Sequence, residues 1–286
     1  MKISINMKNA IIRIGQFIPR SIRSIMWKTY WFPEDFVNSL LGRKDELIPP
    51  KGLVFIGCGD FKKIGEEFFH YFIEFGELKP NEKVLDVGCG NGRMAVPLIG
   101  FIKGEGLYEG FDIVVEGINW CKKSITSKYP HFHFHVADLY NKEYNPKGKY
   151  KASEYKFLYE NDSFDFVFLT SVFTHMLPQD MENYFSEIAR VLKRKGRCLM
   201  TFFLLNEESL KLINSRKSTL DLKYNFGDYR TVGTIIPEAD VCYDEAFILN
   251  LCNKYGLMIK QPIRYGSWCS RSNFLSYQDI IVASKR

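Results

Sequence analysis

One stretch constrains the fold of this chain more than any other: Val84-Leu85-Asp86-Val87-Gly88-Cys89-Gly90-Asn91-Gly92-Arg93. A short apolar strand that ends in closely spaced glycines and runs into a helical pattern is the opening of an open α/β sheet, whose ligands lie at the carboxyl edge. Glycines let the backbone approach a ligand with no Cβ in the way. A nucleotide-sized cofactor is implied. The spacing is G-x-G-x-G, and Arg93 stands where the dinucleotide fingerprint has its third glycine, so hydride transfer loses ground.

The rest of the chain keeps the alternation that such a sheet requires. Apolar strand patterns are expected at residues 83–87, at a run ending near Phe111, and at 131–136, 164–169 and 197–204. Helical patterns are expected up to Phe75, at 92–102, around Ile118, Trp120, Cys121 and Ile125, at 178–192 and at 244–255. Two final strand-like runs, 257–264 and 277–283, form a terminal antiparallel hairpin. This pattern predicts a Rossmann-like, doubly wound α/β sheet with right-handed crossovers and helices on both faces. Two connections exceed ordinary loop lengths and are expected as insertions, at about residues 140–161 and 206–241. The first carries Tyr140, Tyr144, Tyr150, Tyr155, Tyr159 and five lysines, and can stack on sugar rings, stack on bases while its lysines meet phosphates, or form a solvated insertion; the second is the expected substrate lid.

Charge separates the N-terminus from this domain. Residues 1–33 hold Lys2, Lys8, Arg13, Arg20, Arg23 and Lys28 and no acid, which accounts for the whole net charge of +6. Residues 1–48 are read as a basic amphipathic arm and 49–286 as the domain, with Pro19 splitting residues 11–32 into two short helices. The arm is either an interfacial segment for an anionic membrane, through residues 1–33, or a helix packed on protein. Seven scattered cysteines without a C-x-x-C pair argue against disulfides or a zinc site, so no metal is expected. With no apolar run of about 18 residues and no leader pattern, the expected setting is cytoplasmic, or peripheral at the inner face of a membrane.

The acidic residues choose the cofactor. Asp86 is poor company for a pyrophosphate but can accept a hydrogen bond from an ammonium group, and S-adenosylmethionine carries one. Asp112 closes the second strand, where a carboxylate can take both ribose hydroxyls, and Ile113 then lies on the adenine. Asp138 and the Leu139 N–H, after the third strand, can meet the adenine amino group and a ring nitrogen. A helix N-cap is the alternative for any one of these aspartates.

From Lys79 onward the chain resembles the class I S-adenosylmethionine-dependent methyltransferases, with further counterparts in Phe164-Asp165-Phe166-Val167-Phe168-Leu169 and Val191-Leu192-Lys193-Arg194-Lys195-Gly196-Arg197. The resemblance implies a seven-stranded sheet of order 3-2-1-4-5-7-6 with the last strand antiparallel, and S-adenosylmethionine held by Asp86, Gly88, Gly90, Gly92, Asp112, Ile113, Asp138, Leu139 and Thr170. The string Thr170-Ser171-Val172-Phe173-Thr174-His175-Met176 and the ending Tyr277-Gln278-Asp279-Ile280-Ile281-Val282 resemble small bacterial methyltransferases of glycan and secondary-metabolite genes. No Asn-Pro-Pro-Tyr, Pro-Cys or Asp-Asn signature follows the fourth strand, which disfavours nucleic-acid and metal-assisted subclasses. The expectation is O-methylation of a saccharide or glycan hydroxyl, lipid-linked glycans included, with His175 as base and Asp60, Phe61, Tyr229 and Arg230 toward the acceptor. His131, His133 and His135 are read as structural. The alternatives are a methyltransferase of a small phenolic, lipid or carboxylate metabolite, and a non-catalytic cofactor-binding or membrane-tethering module.

Overall fold

Strand β1 (Lys83–Val87) is buried from its second residue onward, and its alternate side chains serve opposite faces of a sheet. Leu85 and Val87 join a core with Val167, Leu169, Phe185 and Ile188, while Val84 and Asp86 face the other way. In the computed structural model, which describes residues 20–42, 45–55, 59–142 and 144–286, β1 pairs in parallel with β2 (Leu107–Asp112) and with β4 (Phe164–Leu169). Strand β3 (Phe132–Val136) extends the sheet beyond β2, and β5 (Leu192–Phe202) beyond β4. The last sheet strand, β11 (Asp279–Lys285), enters antiparallel beside β5 and carries β10 (Leu257–Ile259) on its far edge. The order β10-β11-β5-β4-β1-β2-β3 is the expected seven-stranded arrangement.

The helices cover both faces. Helix α2 (Phe61–Glu74) sets Phe72 against Phe168, ring centroids 4.3 Å apart, and a Cβ on Gly65 would come within 2.7 Å of the Arg93 carbonyl, so only glycine lets the helix sit this close. Helix α5 (Pro178–Val191) brings Phe185 onto Phe173, which also stacks on Phe202, each at 5.1 Å. Helix α4 (Val115–Cys121) continues as a π-turn over Lys122–Thr126, and α7 (Glu245–Lys254) is capped by the Asp244 carboxylate on the Ala246 N–H.

Several boundaries differ from expectation for local reasons. The helix after the glycine turn is a single turn, α3 (Ala95–Leu98), shorter than the expected 92–102. Strand β5 starts at Leu192 rather than Arg197, since left-handed Lys195 (φ 65°) and Gly196 are absorbed into the strand as a register shift against β4. Strand β10 stops before Pro262, and pairing resumes only as a bridge between Arg264 and Ile280.

The first insertion is pinned to the domain rather than solvated throughout. Phe157 is buried, its N–H donates to Glu187 Oε2 at 2.6 Å, and Arg190 donates to the Phe157 and Tyr159 carbonyls. Tyr155 and Tyr159 pack on the core, leaving Tyr140 and Tyr150 as exposed rings. Residues 204–244 build a small second sheet, β6 (Leu204–Leu205), β9 (Val241–Asp244), β8 (Tyr229–Thr231) and β7 (Tyr224–Asn225), with α6 (Glu207–Asn214) between β6 and β7.

The chain divides into two compact units between Gly59 and Asp60. In the first, helix α1 (Arg20–Leu40) is continuous through Pro33 and ends eight residues beyond Phe32, a correction to the two short helices expected within residues 11–32; the portion of that stretch up to Pro19 lies outside the described residues.

Candidate active site

The glycine turn leaves β1 in left-handed conformation at Gly88, Gly90 and Gly92, with φ of 81°, 55° and 76°. Gly88 and Cys89 donate their N–H groups to the Phe111 carbonyl at 2.9 and 3.1 Å, and Gly90 donates to Asp112 Oδ2 at 2.9 Å. The other oxygen of Asp112 accepts the Val114 N–H at 2.8 Å. Asp112 therefore fastens the turn to the end of β2 and caps no long helix. It remains half-buried at the carboxyl end of β2, the position from which the sequence reading has it meet the ribose hydroxyls.

Asp86 lies beneath the turn with no solvent exposure. Its Oδ2 accepts the Tyr108 hydroxyl at 2.6 Å, and its Oδ1 is without a hydrogen-bond partner among the described residues. Burial, reinforced by the charge of Asp112 and only partly offset by the Tyr108 hydroxyl, pushes its carboxyl up to about 8. An orphaned buried carboxylate oxygen fits a cationic amino group, which would supply both a donor and the missing positive charge.

Ile113 packs half-buried on the main core. Asp138 caps no helix; it opens the first insertion, with its carbonyl accepting the Lys149 and Tyr150 N–H groups and its carboxylate 3.8 Å from Lys149 Nζ. The Leu139 N–H is a correction: it was expected to be offered to a ring nitrogen, and it is donated instead to the Ala137 carbonyl at 2.8 Å in a three-residue turn.

Between β1 and β4 the strand order reverses direction, which is where such sheets place their reactive ligand. Thr170 comes directly after β4 and is half-buried, and Ser171 follows in left-handed conformation (φ 59°). That conformation is held by the Thr201 hydroxyl, which accepts the Ser171 N–H at 2.8 Å while donating to Gln278 Oε1 at 2.6 Å; Ser171 Oγ donates to the same Gln278 oxygen. Val172 then presses on the glycine turn, for a Cβ on Gly88 would meet Val172 Cγ2 at 2.4 Å. The next helical turn, Phe173–His175, thus begins beside the glycines.

Both insertions converge on His175. Its Nδ1 lies 3.0 Å from the Glu238 carbonyl of the second insertion, and the Tyr144 ring of the first is 6.1 Å from the imidazole. Lys142 donates to the Ile235 carbonyl at 2.6 Å, tying the insertions together, and the Tyr243 hydroxyl donates to the Met176 carbonyl. A carbonyl only accepts, so Nδ1 is the donor in this contact and Nε2 is the ring nitrogen left out of it. Asp180 is nearby: burial raises its pKa, and the Glu238 charge adds to the rise. Glu238 Oε2 is itself buried with no hydrogen-bond partner among the described residues. Glu238, Asp180 and the hydrogen bonds of the Ser171–Thr201–Gln278 cluster were not read from the sequence, since each acts across distant stretches of chain, and Tyr144 was read only as one of the rings of the first insertion.

The acceptor candidates divide. Tyr229 and Arg230 lie in β8, where Tyr229 stacks on Phe226 at 5.0 Å and packs on Tyr243, whose hydroxyl contacts Met176, the residue directly after His175. Phe61 is buried at the start of α2 with the Arg93 guanidinium 5.7 Å from its ring. Asp60 is exposed and caps α2, its carboxylate accepting the Lys63 N–H at 2.9 Å, which also lowers its pKa. On the far edge, Glu109 accepts from His133 Nδ1 at 2.7 Å and faces His135 Nε2 at 2.8 Å, a lateral tie between β2 and β3. Among the described residues no group of three or more His, Cys, Asp or Glu is arranged to hold a metal ion, and the six described cysteines are buried and free.

Comparison with known proteins agrees with this geometry. Residues 78–236 match the family model described as a methyltransferase domain. Phosphoethanolamine N-methyltransferase 2 of Caenorhabditis elegans is 23% identical over 194 residues, 68% of this chain and 38% of that protein. Phosphoethanolamine N-methyltransferase 3 of Arabidopsis thaliana is 30% identical over 146 residues, 48% of this chain and 24% of that one. The match thus spans well under half the length of these curated relatives. Among solved structures, the PH0226 protein of Pyrococcus horikoshii superimposes with a TM-score of 0.55 at 17% identity, covering 82% of this chain and 95% of that one. Geranyl diphosphate C-methyltransferase from Streptomyces coelicolor gives 0.50 at 12% identity, covering 78% and 79%. At such identities the likeness is one of fold.

Proposed function

Because the chain belongs to the methyltransferase-domain family, as a class I S-adenosylmethionine-dependent methyltransferase, we propose that it methylates a hydroxyl of a saccharide or glycan, with His175 as the base. The observation that carries this reading is the 3.0 Å contact of His175 Nδ1 with the Glu238 carbonyl, which leaves Nε2 as a lone-pair acceptor beside the turn that abuts Gly88. When bound, S-adenosylmethionine supplies an electrophilic methyl group on a sulfonium sulfur. Asp86, Asp112 and the glycine turn are the residues to hold it.

A sugar hydroxyl is a weak acid and must lose its proton as the new C–O bond forms; Nε2 takes that proton, a contribution of about 10²- to 10⁴-fold. The two insertions hold the acceptor in place, and the exposed Tyr140 and Tyr150 rings offer flat faces for a sugar. A second reading, methylation of a small amine, is favoured by Asp180 and Glu238, two acids close enough to feel each other's charge, the second of which meets His175 through its backbone carbonyl; such a pair suits an ammonium group.

The test is an acceptor panel of glycans, sugar phosphates and aminoalcohols, scored by product mass and by whether the new methyl sits on oxygen or nitrogen. O-methylated saccharide from wild type, with kcat down about 10²- to 10⁴-fold in His175→Ala at unchanged cofactor affinity, supports the proposal. Turnover of amines alone would replace it with the second reading.

A further inference from the structure

Helix α1 turns Trp27, Trp31, Glu34 and Asp35 toward the turn Lys51–Leu53 and leaves a separate apolar stripe exposed, unlike a packed surface helix, whose apolar stripe is covered. Ile22, Ile25, Met26, Phe32, Phe36 and Leu40 fall within one stripe of about 120° at 100° per residue, and every one is at least half exposed, Leu40 by 70%. Phe32 and Phe36 stack on each other at 5.8 Å and on nothing else recorded by ring contact among the described residues. The opposite side is engaged by the turn Lys51–Leu53. Asp35 accepts the Lys51 and Gly52 N–H groups at 2.9 and 3.0 Å, Glu34 pairs with Lys51 Nζ at 2.5 Å, and Trp27 Nε1 donates to the Lys51 carbonyl at 3.1 Å. Both acids of the helix are thereby drawn to the face away from the stripe.

We propose that this stripe is a docking surface for an anionic lipid bilayer, with α1 lying in the interfacial plane. A continuous apolar face of this kind marks an interaction site. Charge selects the occupant: residues 1–33 carry six basic residues and no acid, which suits phosphate headgroups and disfavours a second copy of the same basic segment. At about 1.5 Å per residue the 21-residue helix extends roughly 32 Å along the surface. No described helix is long and apolar enough to cross a membrane, so the contact is peripheral. The inference is independent of which acceptor is methylated.

The experiment is co-sedimentation of the full chain with vesicles of phosphatidylcholine alone and of phosphatidylcholine mixed with phosphatidylglycerol. The expected result is binding to the mixed vesicles that weakens with salt, little binding to the neutral ones, and a loss of more than about tenfold in Phe32→Ser/Phe36→Ser. Calorimetry with S-adenosylmethionine checks that the variant keeps its fold; should it fail that check, Leu40→Ser, at the most exposed stripe position, carries the same test. Absence of binding to anionic vesicles, or equal binding by variant and wild type, overturns the proposal. So does a dimer, seen by sedimentation equilibrium, that the same substitutions dissociate, for the occupant would then be a second copy.

Discussion

Asp86→Asn should uncouple both stability and cofactor binding from pH. In the folded chain burial pushes the Asp86 carboxyl up to about 8, against about 3.9 for an unfolded aspartate. The folded pKa lies above the unfolded one, so the folded state binds the extra proton between these values. The resulting stability is complete below about pH 4 and is lost as pH rises through about 8. At about 1.4 kcal/mol per unit, wild type should lose roughly 4 kcal/mol between pH 5 and pH 8 that the isosteric Asn variant, which still accepts from Tyr108, does not lose. Urea unfolding of both proteins across that range reads the difference directly. Binding has the opposite sign: a cationic amino group against Oδ1 draws Asp86 into its charged form, so affinity for S-adenosylmethionine rises with pH. Near pH 7 calorimetry in buffers of different ionisation enthalpy should find close to one proton released by wild type beyond that of the variant. Stability curves of wild type and Asp86→Asn that stay parallel within about 1 kcal/mol, together with no difference in proton release, would refute this account of Asp86.

Gly88→Ala must accept both a left-handed alanine and an overlap with Val172, and is expected to cost about 2–4 kcal/mol; Val172→Ala in the same chain should restore the overlap part, read by thermal unfolding as a double-mutant cycle. Thr201→Val leaves the Ser171 N–H without its acceptor and should lower stability by about 1–3 kcal/mol, and kcat should fall while cofactor affinity holds, because Ser171 opens the His175 turn. Arg271 is buried against Asp279 at 2.9 Å, so Arg271→Leu strands a buried carboxylate and should cost about 3–5 kcal/mol in urea unfolding, less at low pH where Asp279, already raised to about 6 by burial, is protonated.

The sheet was legible because its signals are local. β4 is a nearly unbroken apolar run, β3 alternates apolar and polar residues, and the glycine turn names β1 as the strand that starts the site. The positions of Asp86 and Asp112 followed from strand ends, yet the hydrogen bonds from Gly90 and Val114 that make Asp112 a clamp exist only once β1 and β2 pair. The small second sheet escaped notice because its strands are two to four residues long, too short for a period-two pattern to declare itself. Glu238 was invisible for another reason: it meets His175 through a backbone carbonyl, and a carbonyl leaves no mark on residue type. Likewise the exposed stripe of α1 has the periodicity of a packed helix, and only the contacts of Asp35 and Glu34 with Lys51 and Gly52 reveal which side is turned to protein.

The position of β11 gives the sheet a temporal order as well as a spatial one. Strand β10 is made before β11 but among the described residues pairs with β11 alone, and β5 keeps an open flank until β11 fills it. During synthesis five strands can pair as they emerge, whereas the flank of β5 waits, apolar and unpaired, until more than seventy further residues have left the ribosome. Translation therefore holds a growing chain with one sticky margin until the last sheet strand arrives, and conditions that slow its arrival should favour strand-to-strand association between nascent chains.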